Sequence, residues 1–495
     1  MQPNNISYKD SAARVVQEEG IFYRYIFDEY QAEYDHLMQS GLYQALLEKV
    51  YIIAHEEVVH EGVVDENPQA QQASQQQQKI YKKILPHQIA FQSYPFEWSY
   101  GQWRKVVYAY LQINKIALAH GMLLKDATPF NFYFEEGKPV LLDTSSFMFF
   151  EEGAPWIAYK QFCTEMLSPL ALMHYNGQRW AKISMSHLRG MPLNFVSKQL
   201  PLKSWFNGTI LLHIHLHGKY ANAEGETKEA KEALKKKSAS QNNSTLHVNA
   251  QKGFSKEKLL SLTQMIQETV VKWKQAYQFE KHWLSYYQND IASNQYLNNK
   301  EAIIHEWLKA TQPKTVLDLG ANTGRFSLIA SEYARQVIAI ESDDICVDAI
   351  DKAFKNIHGS NKKEPTAKNE YYTLQMDLAE TTPNMGVLEQ EYSSIYTRAR
   401  SSMVFALALT HHLNISNQLS FEQIATILDR FSEQYCITEF VPVSDDKVQM
   451  LMKDKQREHL EYTEEGFTKA LESKFTIKDK RVIAGSERVI YILEK

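Results

Sequence analysis

The chain has 495 residues, of which 44% are hydrophobic and 23% charged, with a formal net charge of −5. That length predicts two or three folded domains, and the acidic balance gives no broad basic field for a nucleic-acid backbone. Three scattered cysteines (Cys163, Cys346, Cys436) fit a reducing cytoplasm, and the sequence shows neither the apolar core of a signal peptide nor a run of ~18 apolar residues for a membrane span.

The N-terminal half reads as α+β. Residues 13–17 and 21–27 suit a hairpin, 28–40 a helix, and 89–94 a strand before Pro95-Phe96-Glu97-Trp98. Residues 66–79 form a glutamine-rich insertion. The run Leu124-Lys125-Asp126-Ala127-Thr128-Pro129-Phe130-Asn131 then precedes Val140-Leu141-Leu142-Asp143-Thr144-Ser145. Asp126-x-x-Pro129-x-Asn131 followed by Asp143 resembles the catalytic loop and metal-binding Asp of protein-kinase-like folds, small-molecule kinases included. The resemblance implies a kinase-like accessory domain over residues 1–217. In it Asp126 would orient an acceptor hydroxyl, and Asn131 and Asp143 would hold Mg²⁺ against nucleotide phosphates. The chain departs from that pattern at Leu124, where a His is usual, and at Thr144-Ser145, where Phe-Gly is usual. No glycine-rich loop precedes Ile21, and Arg24 at best stands in for the strand lysine. A scaffold that binds or positions a substrate is therefore expected ahead of an active phosphotransferase, with an unrelated α+β domain as the other reading. Leu212-His213-Ile214-His215-Leu216-His217 would set three imidazoles on one face of a strand, but no nearby Cys or carboxylate completes a zinc set, and no metal is expected.

Residues 218–255 carry Lys235-Lys236-Lys237 and Gln241-Asn242-Asn243-Ser244 and almost no large apolar residue, the composition of a flexible linker. The lysine run reads as a solvated face rather than a nucleic-acid site. Leu259, Leu262, Ile266, Val270 and Trp273 then recur at helical spacing, followed by Tyr286, Tyr287, Tyr296 and Lys300.

From 301 to 495 the pattern alternates strand and helix. Thr315-Val316-Leu317-Asp318-Leu319 is a buried strand, Gly320 and Gly324 make a tight turn, and Phe326 to Ala330 opens a helix. The next strand ends at Glu341, 21 positions after Gly320, where a carboxylate can accept hydrogen bonds from both ribose hydroxyls of an adenosine ligand. A dinucleotide site wants G-x-G-x-x-G; here Asn322 stands where a middle glycine often sits and no third glycine follows, which suits a ligand without phosphates. Further strands at 371–375, 403–409 and 435–441, helices at 344–356 and 421–433, and a hairpin at 476–481 and 488–493 predict a parallel, doubly wound sheet. Its ligand edge would gather Asp318 to Gly324, Glu341 and Asp377.

This ordered set resembles motif I of class I S-adenosylmethionine-dependent methyltransferases. The resemblance implies a seven-stranded Rossmann-like sheet and S-adenosylmethionine as cofactor. Gly320 and Gly324 would pass close to its methionine portion. Asp318 would hold that turn or receive the ammonium, and Glu341 would accept the ribose. Asp377 would take the adenine amine, or merely cap its strand, while the Leu378 N–H reaches a ring nitrogen. Residues 256–300 would form a helical lid, one of whose tyrosines or Lys300 touches the cofactor unless these residues simply pack.

Arg398 to Leu413, with Ala406-Leu407-Ala408-Leu409-Thr410-His411-His412-Leu413, and Glu439-Phe440-Val441-Pro442 resemble a bacterial family of nodulation-type methyltransferases over most of the chain. His411, His412 or Glu439 would serve as general base for an oxygen or nitrogen acceptor, unless the imidazoles cap or pack. The expected function is methyl transfer to a small-molecule acceptor; a bifunctional kinase/methyltransferase and a non-enzymatic binding protein are the rivals. Nucleic acid is disfavoured, since no Asn-Pro-Pro-Tyr-type motif occurs, and the sequence sets no oligomeric state.

Overall fold

A computed structural model describes residues 11–58, 79–219, 255–276, 294–360, 370–453 and 462–495. Most of the glutamine-rich insertion, the expected linker from 220 to 254, and Tyr286 and Tyr287 lie outside the described residues.

In the N-terminal half, β1 (Ala13–Glu18), β2 (Ile21–Phe27), β3 (His55–Val58) and β4 (Ile80–Pro86) form an antiparallel sheet in the order β1-β2-β4-β3. The β1–β2 turn has positive φ at both Glu19 and Gly20, the backbone of a tight hairpin. The helix Gln31–Gln39 follows β2 as expected. The strand expected at 89–94 does not form. Its aromatic residues are used elsewhere: Phe91 packs on Tyr372, ring centroids 5.3 Å apart, and Tyr94 on Tyr392 at 5.3 Å.

The N-terminal core is built on the helix Tyr100–Ala119, whose start is fixed by a reciprocal cap between Ser99 and Gln102. Trp103, Val106, Val107, Tyr110 and Ile113 are all buried along it. The helix Lys256–Ala276 packs on this one and buries Leu259, Ile266, Val270 and Trp273 in the same core. The periodicity thus gave a helix, but its partner is the N-terminal half, not a cofactor, which corrects the reading of this part of 256–300 as a lid. Two small hairpin-like pairs complete this half: β5 (Met122–Leu124) with β8 (Phe147–Phe149), and β6 (Phe132–Glu135) with β7 (Lys138–Leu141).

Leu211–Leu216 is helical rather than extended. The Asn207 side chain accepts hydrogen bonds from the N–H groups of Thr209 and Ile210 and so starts a helix through this run. The imidazoles separate accordingly. His213 bonds Tyr159 (2.7 Å), His215 bonds Ser197 and Ser204 (2.7 and 2.8 Å), and His217 stacks on Tyr159. Among the described residues no cluster of His, Cys, Asp and Glu suits a metal ion.

The C-terminal half holds β9 (Thr315–Leu319), β10 (Gln336–Glu341), β11 (Glu370–Gln375), β12 (Ser401–Ala406), β13 (Ser432–Phe440), β14 (Thr476–Val482) and β15 (Val489–Glu494). They make one seven-stranded sheet in the order β11-β10-β9-β12-β13-β15-β14, with β9 to β13 parallel and β15 antiparallel to both β13 and β14. Side chains alternate between two cores: Leu317 and Leu319 enter one, Val316 the other, so both faces of β9 are buried. The strand order reverses between β9 and β12, which opens a crevice at their carboxyl ends.

A polar seam joins the halves. Ser99 Oγ donates to Asp348 (2.6 Å), Gln102 Nε2 to Thr373 (3.0 Å to its hydroxyl), and Lys105 pairs with Asp351 (2.9 Å). Arg398 forks onto Glu97, and Gln178 accepts from the N–H of Asp344 (2.7 Å). A Cβ at Gly101 would lie 2.3 Å from the Asp348 carboxylate, so this approach needs glycine. Burial pushes the Asp348 carboxyl up to about 6.

Candidate active site

The site begins where β9 ends. Gly320, Asn322 and Gly324 all have positive φ (70°, 50° and 84°), and Gly324 delivers the chain into the helix Arg325–Ala330. Asp318 is buried below this turn and accepts a hydrogen bond from Ser327 Oγ at 2.6 Å. Burial pushes its carboxyl up to about 6 despite Ser327 and Lys300. Asp318 thereby ties the end of β9 to the helix that follows the turn.

Glu341 is tied into the neighbouring loops. Its Oε2 accepts the Asn322 N–H (2.8 Å); its Oε1 accepts the N–H groups of Ser342 (2.6 Å) and Asp343 (3.1 Å) and the Ser342 hydroxyl (3.0 Å). A carboxylate oxygen with one donor keeps a lone pair for a ligand, and Oε2 is that oxygen. Asp377 caps its own loop through the Ala379 N–H (2.9 Å) and still reaches the site.

These loops border a cavity of about 250 Å³. Gly320, Asn322, Glu341, Asp377 and Leu378 line it, and Asp318 and Gly324 do not. Ile340, Met376, Leu409 and Leu413 make much of the rest apolar, and no lysine or arginine is among the lining residues. Apolar walls with two carboxylates suit an uncharged heterocycle with hydroxyls and an amine, and oppose phosphates. An adenosine with a sulfonium amino-acid tail meets those terms.

No family model matches the chain. It is 27% identical over 415 residues to nodulation protein NoeA of Rhizobium meliloti (strain 1021), across 83% of this chain and 82% of that protein. Among solved structures it is similar to the N-methyltransferase NodS of Bradyrhizobium japonicum WM9, at 8% identity and a TM-score of 0.30, over 41% of this chain and 99% of that one. It is also similar to magnesium protoporphyrin IX methyltransferase of Synechocystis PCC 6803 with bound SAM, at 16% identity and a TM-score of 0.29, over 43% and 88% of the two chains.

The opposite wall comes from the end of β12. The strand stops at Ala406, three residues earlier than the apolar run suggests, because Ala408 turns into the left-handed region (φ 49°). The Ala408 N–H donates to Glu439 Oε2 (2.9 Å) and Thr410 Oγ1 to the Glu439 carbonyl (2.8 Å). His411 and His412 follow, ring centroids 4.1 Å apart. His412 lines the cavity; burial, then Lys447 and Arg488, bring its imidazole down to about 4. His411 is fully buried behind it, and neither ring nitrogen has a partner among the described residues. Burial holds that ring neutral as well.

Glu439 has a different task from the base expected of it. It is fully buried, and Lys300 Nζ (2.5 Å), Tyr296 OH (2.7 Å) and the Ala408 N–H all donate to it, with Arg488 at 3.6 Å. Burial opposes its charge, but Lys300 and Arg488 outweigh that and hold it ionised, below the usual carboxylate range. It is not among the cavity-lining residues, and each of its oxygens already accepts a hydrogen bond within the protein. A carboxylate so satisfied is a poor proton acceptor. Tyr296 and Lys300, weighed as cofactor contacts, serve this ion cluster instead. They sit four apart on the helix Asn294–Thr311 and so share a face, a spacing legible in sequence, whereas Arg488 on the closing hairpin gave no local signal.

In the N-terminal half, Asn131 and Asp143 come together through Ser146. Asn131 Nδ2 donates to Ser146 Oγ (3.3 Å) and Ser146 Oγ to Asp143 Oδ2 (2.7 Å). Arg24 pairs with Asp143, as do the N–H (2.9 Å) and hydroxyl (2.6 Å) of Ser145. Burial works against the Asp143 charge, but Arg24 and the serines prevail and keep its carboxyl below the usual range. The positive partner of Asp143 is therefore a guanidinium of the chain itself, an arrangement that does not fit a resident Mg²⁺. Asp126 is electrostatically coupled to Glu165, whose carboxyl burial pushes up to about 7.

Proposed function

We propose that the chain is an S-adenosylmethionine-dependent methyltransferase acting on a small-molecule acceptor, its N-terminal half a kinase-like scaffold without phosphoryl-transfer activity. The observation that carries this reading is the placement of Glu341 and Asp377 on one phosphate-averse cavity beside the Gly320–Gly324 turn. S-adenosylmethionine supplies a methyl group activated on a sulfonium. Glu341 Oε2 would accept one ribose hydroxyl, Asp377 the adenine amine, and Leu378 and Met376 would flank the ring. The cavity wall at Leu407 to His412 is then left to place the acceptor in line with the methyl. His412, neutral and on that wall, is proposed to take the acceptor's proton.

Titration calorimetry of the full chain with S-adenosylmethionine, S-adenosylhomocysteine and ATP–Mg²⁺ tests the reading. One equivalent of either sulfur ligand should bind, and ATP–Mg²⁺ should not. Absence of heat with both sulfur ligands would sink it.

The state of His412 is open to a separate test. Its ring proton resonances, assigned by difference against His412→Asn, should stay flat from pH 8 to pH 5.5 and titrate at about 4. The sign for stability follows. An unfolded histidine binds its proton near pH ~6.5, whereas folded His412 does not until about 4, so stability falls as pH drops through that window. Denaturant midpoints at pH 7 and pH 5 should fall in that order for wild type, and the gap should narrow in His412→Asn. An inflection near 6.5 would place this imidazole in solvent.

A further inference from the structure

Residues 166 to 219 contain no Asp or Glu but six Lys and Arg, in a chain whose net charge is −5. Two of the six, Arg179 and Lys182, face Glu380 across the seam. Lys198 and Lys203 are exposed, and among the described residues neither has a carboxylate within ion-pair distance.

Between and beyond these lysines the chain projects apolar side chains into solvent. Leu202 is 83% exposed, Trp205 44% and Phe206 93%. Such exposure of a Leu and a Phe within one short turn adds nothing to folding and is uncommon on a monomer surface. The segment that carries them is rigidly held. Ser204 is buried, and its hydroxyl donates to the Pro201 carbonyl (2.7 Å) and meets His215 (2.8 Å). Trp205 stacks on the His215 ring, centroids 4.1 Å apart and planes 9° from parallel. Asn207 then caps the helix that follows. The apolar tips therefore stand out from a fixed turn.

We propose that the Leu202–Phe206 turn is a peripheral membrane-docking surface for anionic lipid. The two outermost side chains would enter the acyl boundary, Trp205 would sit at headgroup level, and Lys198 and Lys203 would meet the headgroup charge. This mode combines modest apolar insertion with a basic rim, the two-signal form of reversible membrane attachment. It needs no spanning segment, and among the described residues no helix is long and apolar enough to cross a membrane. Exposed Lys198 and Lys203, with no carboxylate within ion-pair distance among the described residues, complement an anionic bilayer, whereas an apolar protein groove would not require them.

The test is co-sedimentation of the full chain with vesicles of phosphatidylcholine alone or with phosphatidylglycerol. Binding to the anionic vesicles, weakened by salt, is expected. Leu202→Ser/Phe206→Ser should weaken it at least about tenfold, and Lys203→Glu roughly fivefold. Thermal unfolding should be unchanged, because these side chains are exposed. Failure of the wild type to sediment with anionic vesicles, or undiminished binding by the double variant, would overturn the proposal. So would a concentration-dependent dimer lost in the double variant without vesicle binding, since the turn would then join two copies of the chain.

Discussion

Glu341→Ala is expected to weaken S-adenosylmethionine binding at least about 100-fold, with the protein still folded. A hydrogen bond from a ribose hydroxyl to the free lone pair of Glu341 Oε2 is charge-assisted and contributes ~1.5–3 kcal/mol. Its loss alone weakens binding by a factor of about 10 to 150. A second effect acts in the same direction. The Glu341 carboxylate receives N–H groups from Asn322, Ser342 and Asp343, so it links the turn after β9 to the loop after β10. Alanine leaves those donors to solvent and loosens both sides of the cavity at once. Glu341→Gln separates the two effects. It keeps one acceptor oxygen for the loops and loses the charge, so its affinity should lie between wild type and alanine. Calorimetry gives the affinities, and a denaturant titration gives the stability of each variant. Alanine binding within about threefold of wild type would remove the ribose assignment, whatever the fate of the loops.

Local chemistry explains which features were readable from the sequence. The β9 turn was legible because Asp318, Gly320, Gly324 and Glu341 carry its backbone and charge requirements within one β–α–β stretch. The parallel strands β9, β10 and β12 and the closing β15 were legible for a similar reason, as short, largely apolar runs bounded by turns, whereas β14 (Thr476–Val482) is mostly polar. The fates of Glu439 and Lys300 were not, because 139 positions separate the partners and only the assembled sheet brings them together. The His213, His215 and His217 run was misread because a cap at Asn207, outside the apolar pattern, decides helix over strand. Residues 89–94 were misread because a strand-like composition there is consumed by aromatic contacts with the other half. The N-terminal site was half legible. Asn131 and Asp143 do converge, but the ion pair with Arg24 depends on β2 crossing above them, which no spacing encodes.

Lys300→Met is expected to destabilise the protein by about 3–5 kcal/mol, the size of effect seen when a buried charge loses its partner. Lys300 is 2% exposed and Glu439 fully buried, so water cannot take the place of the ammonium. Arg488 sits at 3.6 Å and also serves Asp445 (2.8 Å), and it does not replace a donor at 2.5 Å. The double variant Lys300→Met/Glu439→Gln removes both charges and should recover much of the loss, a non-additivity that identifies the pair. The damage should also reach the cavity. Glu439 Oε2 accepts the N–H of Ala408, a residue held at φ 49°, where an L side chain costs roughly 1–2 kcal/mol. That backbone shapes the wall at Leu407, Leu409 and His412. If the ion cluster braces this turn, Lys300→Met lowers donor affinity although Lys300 does not line the cavity, and the double variant leaves a residual deficit after stability returns. A denaturation series on the two variants, paired with calorimetry, reads both. A cost below about 1 kcal/mol would mean an exposed ion pair, and unchanged affinity in a destabilised Lys300→Met would confine the cluster to holding the helix Asn294–Thr311 onto the sheet.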